Sequence, residues 1–341
     1  MKGRILLFGI GPIGALIGGI GPISAYAFSP QASQCRTLCN TVGVSDQQAL
    51  NQIPPEKQNL VRQFVVKLEA IPNVEAIALG GSFARGVART DSDIDLVLYY
   101  HEASPFRPVE LGDAVAALTL NPPQLTEFYD WGPWVNGGGW LETAQGRVDL
   151  LYRNLDQIER VITAAQEGKI AHDYYQQPTF GYHSTTYLAE TFDGFPLADP
   201  RRELEKLRES VSKYPPALKL ILVRNSLRSA EFDLLHAVKF AERADVLGTV
   251  GCCARITYHF LMCWFALNEH YYPGEKGAFV LLESLPVKPE GAVRRLNAAL
   301  AASAGSTPEM SERVSELRNL WFETLPLAGP EYQSVFGLKR G

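Results

Sequence analysis

The stretch Gly80-Gly81-Ser82-Phe83-Ala84-Arg85-Gly86, followed by Asp91-Ser92-Asp93-Ile94-Asp95-Leu96, places a glycine turn ahead of two alternate carboxylates. Val74-Glu75-Ala76-Ile77-Ala78-Leu79 reads as a buried strand leading into the turn, with a short helix expected from Phe83 to Ala88. Ile94 to Tyr100, rich in β-formers, reads as a second strand. Asp93 and Asp95 stand at i and i+2, so their side chains leave the same face of the sheet. Two carboxylates this close repel each other and are poor structure on their own. They suit a hard cation, most naturally Mg²⁺, which takes a few carboxylates together with phosphate oxygens and water. Gly80 and Gly81 let the backbone approach a ligand, and the amides that open the next helix can receive phosphate. Ser82 adds a hydroxyl. Arg85 and Arg89, one helical turn apart, bring positive charge to the same end.

Working outward, Val148-Asp149-Leu150-Leu151 sets one carboxylate into an apolar strand. Asp149 is the candidate third acidic group for activating a hydroxyl, and a solvent-facing edge aspartate is the plainer alternative. Glu142 on the partner strand is the reserve. Arg153 shares the face of Asp149 and either pairs with it or reaches phosphate. Pro54-Pro55 opens a helix with Leu60, Val61, Phe64, Val65, Leu68 and Ile71 on one face. A helix is expected over 109–119 and strands over 124–129, 140–143 and 147–153, the last two joined by the turn Ala144-Gln145-Gly146. A helix over 155–167 follows. Residues 171–200 are aromatic and turn-rich, and helical patterns then run over 201–213, 216–246, 250–270, 290–303 and 309–323. The expected organisation is a leader over 1–45, a mixed catalytic domain over 46–172 and a helical domain over 173–330.

The chain has 341 residues, 46% of them hydrophobic and 20% charged, with a formal charge of −5. That describes a globular protein, and without a Lys/Arg run it disfavours a long nucleic acid as partner. Cys252, Cys253 and Cys263 fall in an apolar helical stretch, while Cys35-x-x-x-Cys39 lacks a second metal-binding pair. At the N-terminus Lys2 and Arg4 precede an uncharged run to Gln34 that includes Ala25-Tyr26-Ala27, the outline of a secretory signal. The run is broken by glycine and proline, which suits neither a signal core nor a stable membrane helix. A disordered leader on a cytoplasmic protein and genuine export both remain open, and no stable membrane association is expected.

Residues 80–100 resemble the nucleotidyltransferase domain of the DNA polymerase β superfamily, whose motif is Gly-Ser, a short variable stretch, then Asp-x-Asp. Here Gly81-Ser82 and Asp93-Ile94-Asp95 are separated by ten intervening residues. The resemblance implies an α+β fold, a polymerase β-like mixed sheet with helices followed by a helical bundle. It also implies that Asp149 occupies the place of the superfamily's third carboxylate. The second half is similar to the helical domain of aminoglycoside nucleotidyltransferases and related bacterial proteins, in which a lysine often reaches the triphosphate. Tyr271-Tyr272-Pro273-Gly274-Glu275-Lys276-Gly277-Ala278 resembles that segment, so Lys276 inherits the role, with an exposed loop lysine as the plain alternative.

The expected activity is metal-dependent transfer of a nucleoside monophosphate from ATP or another triphosphate to a hydroxyl of a small-molecule or protein acceptor. Gly81, Ser82, Arg85 and Lys276 would hold the triphosphate, and Asp93, Asp95 and Asp149 two Mg²⁺ ions. The competing reading is a nucleotide-binding module of antitoxin type, which gains little from a repelling carboxylate cluster. Arg228 and His236, with seven residues between them, and Arg255 and His259, with three, miss the Arg-x(4–6)-His spacing of the RNase partner in such pairs. The stretch Trp131-Gly132-Pro133-Trp134 to Trp140 reads either as a mobile flap that stacks on a ring or as a packed loop.

Overall fold

Ala76-Ile77-Ala78-Leu79 is buried at every position, which places its strand inside a sheet rather than at an edge. The computed structural model describes residues 51, 53–89, 91–301 and 306–340. The expected leader and Cys35 and Cys39 lie outside the described residues. Five strands form one sheet in the order β3-β4-β2-β1-β7, with β1 Ala76–Leu79, β2 Ile94–Tyr100, β3 Gly138–Thr143, β4 Gly146–Asn154 and β7 Phe195–Ala198. β2 and β4 run parallel; β1–β2, β3–β4 and β1–β7 are antiparallel. A two-stranded ribbon, β5 His172–Asp173 with β6 Tyr182–His183, stands apart from it.

The sheet is covered on both faces, and alternation along β2 assigns the side chains. Ile94, Leu96, Leu98 and Tyr100 join Val148, Leu150 and Tyr152 of β4 in one core, with Leu60, Val61, Phe64 and Leu68 of helix α1 Pro55–Leu68. A one-turn helix α2 Gly81–Ala84 follows β1, and α3 Pro108–Val115 packs Leu111 and Val115 on this face. Ala76, Ala78, Val97 and Tyr99 point the other way. They join α4 Leu155–Gln166 and α5 Thr185–Asp193 in a core that continues without a break into the helices of the C-terminal half.

Those helices are α6 Glu203–Ser210, α7 Pro216–Glu242, α8 Val246–Leu267, α9 Ala278–Ser284, α10 Ala292–Ala301 and α11 Thr307–Ala328. The short link Arg243–Asp245 makes α7 and α8 neighbours, and Asp245 caps α8 by accepting from Gly248 N at 2.9 Å. α8 is long and apolar enough by composition to cross a membrane, yet 67% of that window is buried inside the protein, as in a core helix. Cys252, Cys253 and Cys263 of α8 are free thiols, the last two buried.

The structure corrects the sequence reading at three places. Residues 124–129 form no strand beyond the isolated bridge Leu125–Gly139, because a turn at Glu127–Asp130 and Tyr129 at φ 67° bend the chain away. The helix over 109–119 stops at Val115 and tightens into a 3₁₀ turn over Ala116–Leu118. Within the aromatic stretch 171–200, β7 adds to the free edge of β1, so the sheet is completed from beyond residue 172.

Trp264 of α8 is fully buried, stacks on Phe260 at 5.0 Å and donates its indole N–H to Thr324 Oγ1 of α11 at 3.0 Å. Trp264→Ala is expected to cost about 3–5 kcal/mol, read as a lower midpoint in chemical denaturation. An unchanged midpoint would contradict this account of the helical core.

Candidate active site

Gly80 N donates to Asp95 O at 2.9 Å, which continues the β1–β2 ladder up to the turn. The chain then enters α2 through Gly81 at φ +59°, a conformation that glycine tolerates and other residues resist. A side chain at 81 would overlap the Asp95 carboxylate, so that carboxylate lies directly against the turn. The amides of Gly81, Ser82 and Phe83 precede the first hydrogen bond of this one-turn helix, from Ala84 N to Gly80 O at 3.2 Å, and so lie outside its ladder.

Along β2 and β4 the register pairs Asp95 with Asp149, and along β4 and β3 it pairs Asp149 with Trp140. Directly opposed residues share a face, so the order across that face is the Gly80–Ser82 turn, Asp95, Asp149, Trp140. Burial raises the pKa of Asp95, and Lys276 and Arg85 oppose the rise while Asp93 and Glu190 add to it. Asp149 is pushed up to about 7, first by burial and then by the charges of Asp95 and Asp93, against the pull of Arg147 and Lys276. Its Oδ1 is buried without a hydrogen-bond partner among the described residues. Two desolvated carboxylates side by side, one with an orphaned oxygen, are the donor set that a divalent cation satisfies.

Asp93 is drawn aside by Arg147, whose Nη1 lies 3.7 Å from Asp93 Oδ2 and whose Nε donates to Glu142 Oε1 at 3.4 Å. Among the described residues no three acidic, His or Cys side chains converge closely enough to ligate one ion together. Carboxylates that repel one another and have an arginine nearby spread apart, and a cation would reverse that balance. Asp95 and Asp149 are thus side by side, whereas Asp93 and Asp149 are linked only through longer-range fields.

Of the cationic candidates, Arg85 and Lys276 both lie within electrostatic reach of Asp95, and Lys276 reaches Asp149 as well. The segment around Lys276 follows the C-terminal end of α8, so the helical half brings a cation within electrostatic reach of the carboxylates. Arg89 turns outward to Asp91, both strongly exposed. Arg153 neither pairs with Asp149 nor reaches for phosphate: it is buried and grips Glu190 with two bonds of 2.7 and 2.8 Å, while its Nη1 donates to Val135 O. Glu142 stands exposed beside Arg147 rather than in the carboxylate row.

Sequence reasoning missed Arg147 and Glu190. Arg147 was legible as the residue two before Asp149, hence on its face. Glu190, on a helix far along the chain, carried no local signal. The loop before β3 is packed, not a flap. The Gln176 carboxamide accepts from Trp134 N at 3.1 Å and donates to Trp131 O, and Asn136 Oδ1 accepts from Asn154 N at 3.0 Å. Trp131 stacks on Trp140 at 4.8 Å, leaving Trp140 61% exposed beside Asp149.

The high pKa of Asp149 has a sign for stability. Between its ordinary value of 3.8 and about 7 the native state binds more protons than the unfolded one, so stability falls as pH rises through that window. Without divalent cations, Asp149→Asn is expected to raise Tm at about pH 8 by roughly 2 °C or more, and by less at about pH 5. An equal gain at both values, or a loss at the higher one, would contradict the assignment.

Residues 60–136 match the nucleotidyltransferase domain family, and residues 182–277 match a domain of unknown function (DUF4037). No curated protein sequence matches the chain. Among solved structures, a nucleotidyltransferase-like protein from Exiguobacterium sibiricum 255-15 is similar over 80% of this chain and 77% of its own, at 10% identity and a TM-score of 0.41. The nucleotidyltransferase match ends before β3 and β4, so the place of Asp149 rests on sheet register alone. The glycine turn and the Asp-x-Asp strand both lie inside the matched span, so this part of the chain is a nucleotidyltransferase domain.

Proposed function

We propose that this protein transfers a nucleoside monophosphate from ATP or another nucleoside triphosphate to a hydroxyl of an acceptor. The observation that carries the reading is the register pair Asp95–Asp149, two desolvated carboxylates side by side with the glycine turn packed against the first. Past Gly80, whose amide is used by Asp95 O, the turn offers the amides of Gly81 and Ser82 and the Ser82 hydroxyl to the β- and γ-phosphates. Arg85 and Lys276 offset the charge of the triphosphate as it enters an acidic site.

Asp95 and Asp149, with Asp93 once it swings from Arg147, are the residues that would hold Mg²⁺. When bound, the metal neutralises charge on the transferred phosphoryl group and lowers the pKa of an oxygen that it binds. Asp149, on the far side of Asp95 from the turn, is placed to take the proton of the acceptor hydroxyl. That oxygen bonds to the α-phosphorus, the bond to the bridging oxygen of the β-phosphate breaks, and pyrophosphate carries away the electron pair. In-line geometry puts the acceptor on the side of Asp149 and the leaving pyrophosphate on the side of the turn. The antitoxin-type reading has no observation of its own in its favour.

The direct test incubates the protein with Mg²⁺, α-labelled ATP and candidate acceptors, beside the Asp93→Asn/Asp95→Asn variant. Label transfer is expected only with the unsubstituted protein, at least about 10³-fold above the variant, as loss of metal-held charge stabilisation would give. Equal transfer by the variant would refute the reading. Gly81→Ala is expected to lower kcat/KM for ATP by about tenfold or more, because its methyl displaces the Asp95 carboxylate while every charge remains. An unchanged value would sink the close-approach argument.

A further inference from the structure

Lys57 stands against its local preferences. It falls in the first turn of α1, where the helix dipole disfavours a cation. Only 9% of its surface is exposed, and among the described residues it forms no ion pair. Withdrawing an ammonium group from water without a carboxylate beside it is costly, and an apolar side chain of similar length would fill the space at less cost. A residue that breaks local rules in this way calls for a reason elsewhere in the fold.

The ammonium meets three segments that border the candidate site. Its Nζ donates to Ser92 O at 3.0 Å. It lies over the ring of Phe83, 5.8 Å from the ring centre, on the one-turn helix α2. On a third side is Gly146, where a Cβ would stand 3.7 Å from Nζ. Ser92 is the residue before Asp93, and Gly146 is the residue before Arg147. One side chain thus sits against the backbone next to both members of the Asp93–Arg147 pair.

Asp93 needs a brace that Asp95 and Asp149 do not. The register of β2 with β4 begins at Ile94–Val148, so Asp95 and Asp149 are held inside the ladder, and Asp93 precedes it by one residue. On the other side of Asp93 lies a tight turn, in which Ser92 N donates to Arg89 O at 3.1 Å and Arg89 N to Ser92 Oγ at 2.8 Å. Arg89 and Asp91 of this turn are exposed and pair with each other. The bond from Lys57 fastens the turn to α1. Because a peptide unit is planar, holding Ser92 O also holds the plane that contains Asp93 N and Cα.

We propose that Lys57 is a positioning residue for Asp93: through the Ser92 carbonyl it holds the backbone of Asp93 where its carboxylate can leave Arg147 and join Asp95 on a divalent cation. The inference rests on the reading of Asp93 as a metal-holding carboxylate. Lys57 itself touches neither metal nor nucleotide in this account. Its contact with Phe83 ties the glycine-turn helix to the same point, so the two halves of the motif are braced against one side chain. Without the ammonium the turn 89–92 is free to shift, and a cation must order Asp93 as it binds.

The test is a double-mutant cycle on metal binding, not on turnover. Mn²⁺ is titrated into the full chain without nucleotide, and free Mn²⁺ is read by electron paramagnetic resonance. The four proteins are the unsubstituted chain, Lys57→Met, Asp93→Asn and the double variant; Asp95 and Asp149 remain in all of them. Lys57→Met removes the ammonium and keeps an unbranched stem. It is expected to weaken Mn²⁺ binding about tenfold, as loss of one charge-assisted hydrogen bond would. In the Asp93→Asn background the same change is expected to alter binding by less than about twofold. Equal weakening in both backgrounds would mark a general loosening of the fold and overturn the proposal. So would Mn²⁺ binding that is indifferent to Lys57→Met. If the unsubstituted chain binds no Mn²⁺, the metal reading fails and the proposal falls with it, a result distinct from binding that ignores Lys57. Lys57→Gln, with the same expectations, takes the place of Lys57→Met if that variant does not fold.

Discussion

Seven successive register pairs join β2 to β4 in parallel, from Ile94–Val148 to Tyr100–Asn154, and the second of them sets Asp95 beside Asp149. Much of the molecule serves to hold that pair where it is unfavourable. Two carboxylates on adjacent strands, removed from water, repel and resist ionisation. They stay in place because the apolar residues on either side of them along the same strands are buried in two cores, one on each face of the sheet. The strain is local and electrostatic, and the cores that oppose it are large. Such an arrangement is expected where function, not stability, selected the residues.

The two halves of the chain are coupled by the same construction. The face of the sheet that carries Asp95 and Asp149 is also the face that packs into the helical half, through Val97 and Tyr99. Arg153, two positions beyond Leu151 on that face, is fastened to Glu190 of α5. The segment after α8 brings Lys276 back toward the carboxylates. The candidate site is therefore framed by elements that share a core with the sheet, which favours a pre-formed site over one assembled on binding.

Much of this was legible in the sequence because the signals were short-range. The turn at Gly80–Ser82, the alternate aspartates and the lone carboxylate of Val148-Asp149-Leu150 each depend on neighbours within a few residues. Sheet parity then fixes which side chains share a face. What escaped depended on distant partners. β7 is only Phe195-Pro196-Leu197-Ala198, includes a proline and pairs with β1 through an irregular register, so nothing local marks it as a strand. The alternation over 124–129 imitates a strand, yet Thr126 and Asp130 are spent on bracing the loop to Gly138 and Glu127. Arg153 carried the charge expected of a phosphate ligand, and only the fold shows that Glu190, 37 residues away, claims it.

The central claim is that the Asp95–Asp149 pair exists to hold a divalent cation against the phosphates of a nucleotide on the glycine turn. The most direct measurement is a crystal structure with Mn²⁺ and a non-hydrolysable α,β-methylene analogue of ATP, using the anomalous signal of the metal. The account predicts an anomalous peak in contact with both carboxylates and the β- and γ-phosphates against Gly80–Ser82. An analogue bound elsewhere, or bound at the turn with no metal at Asp95 and Asp149, would contradict it.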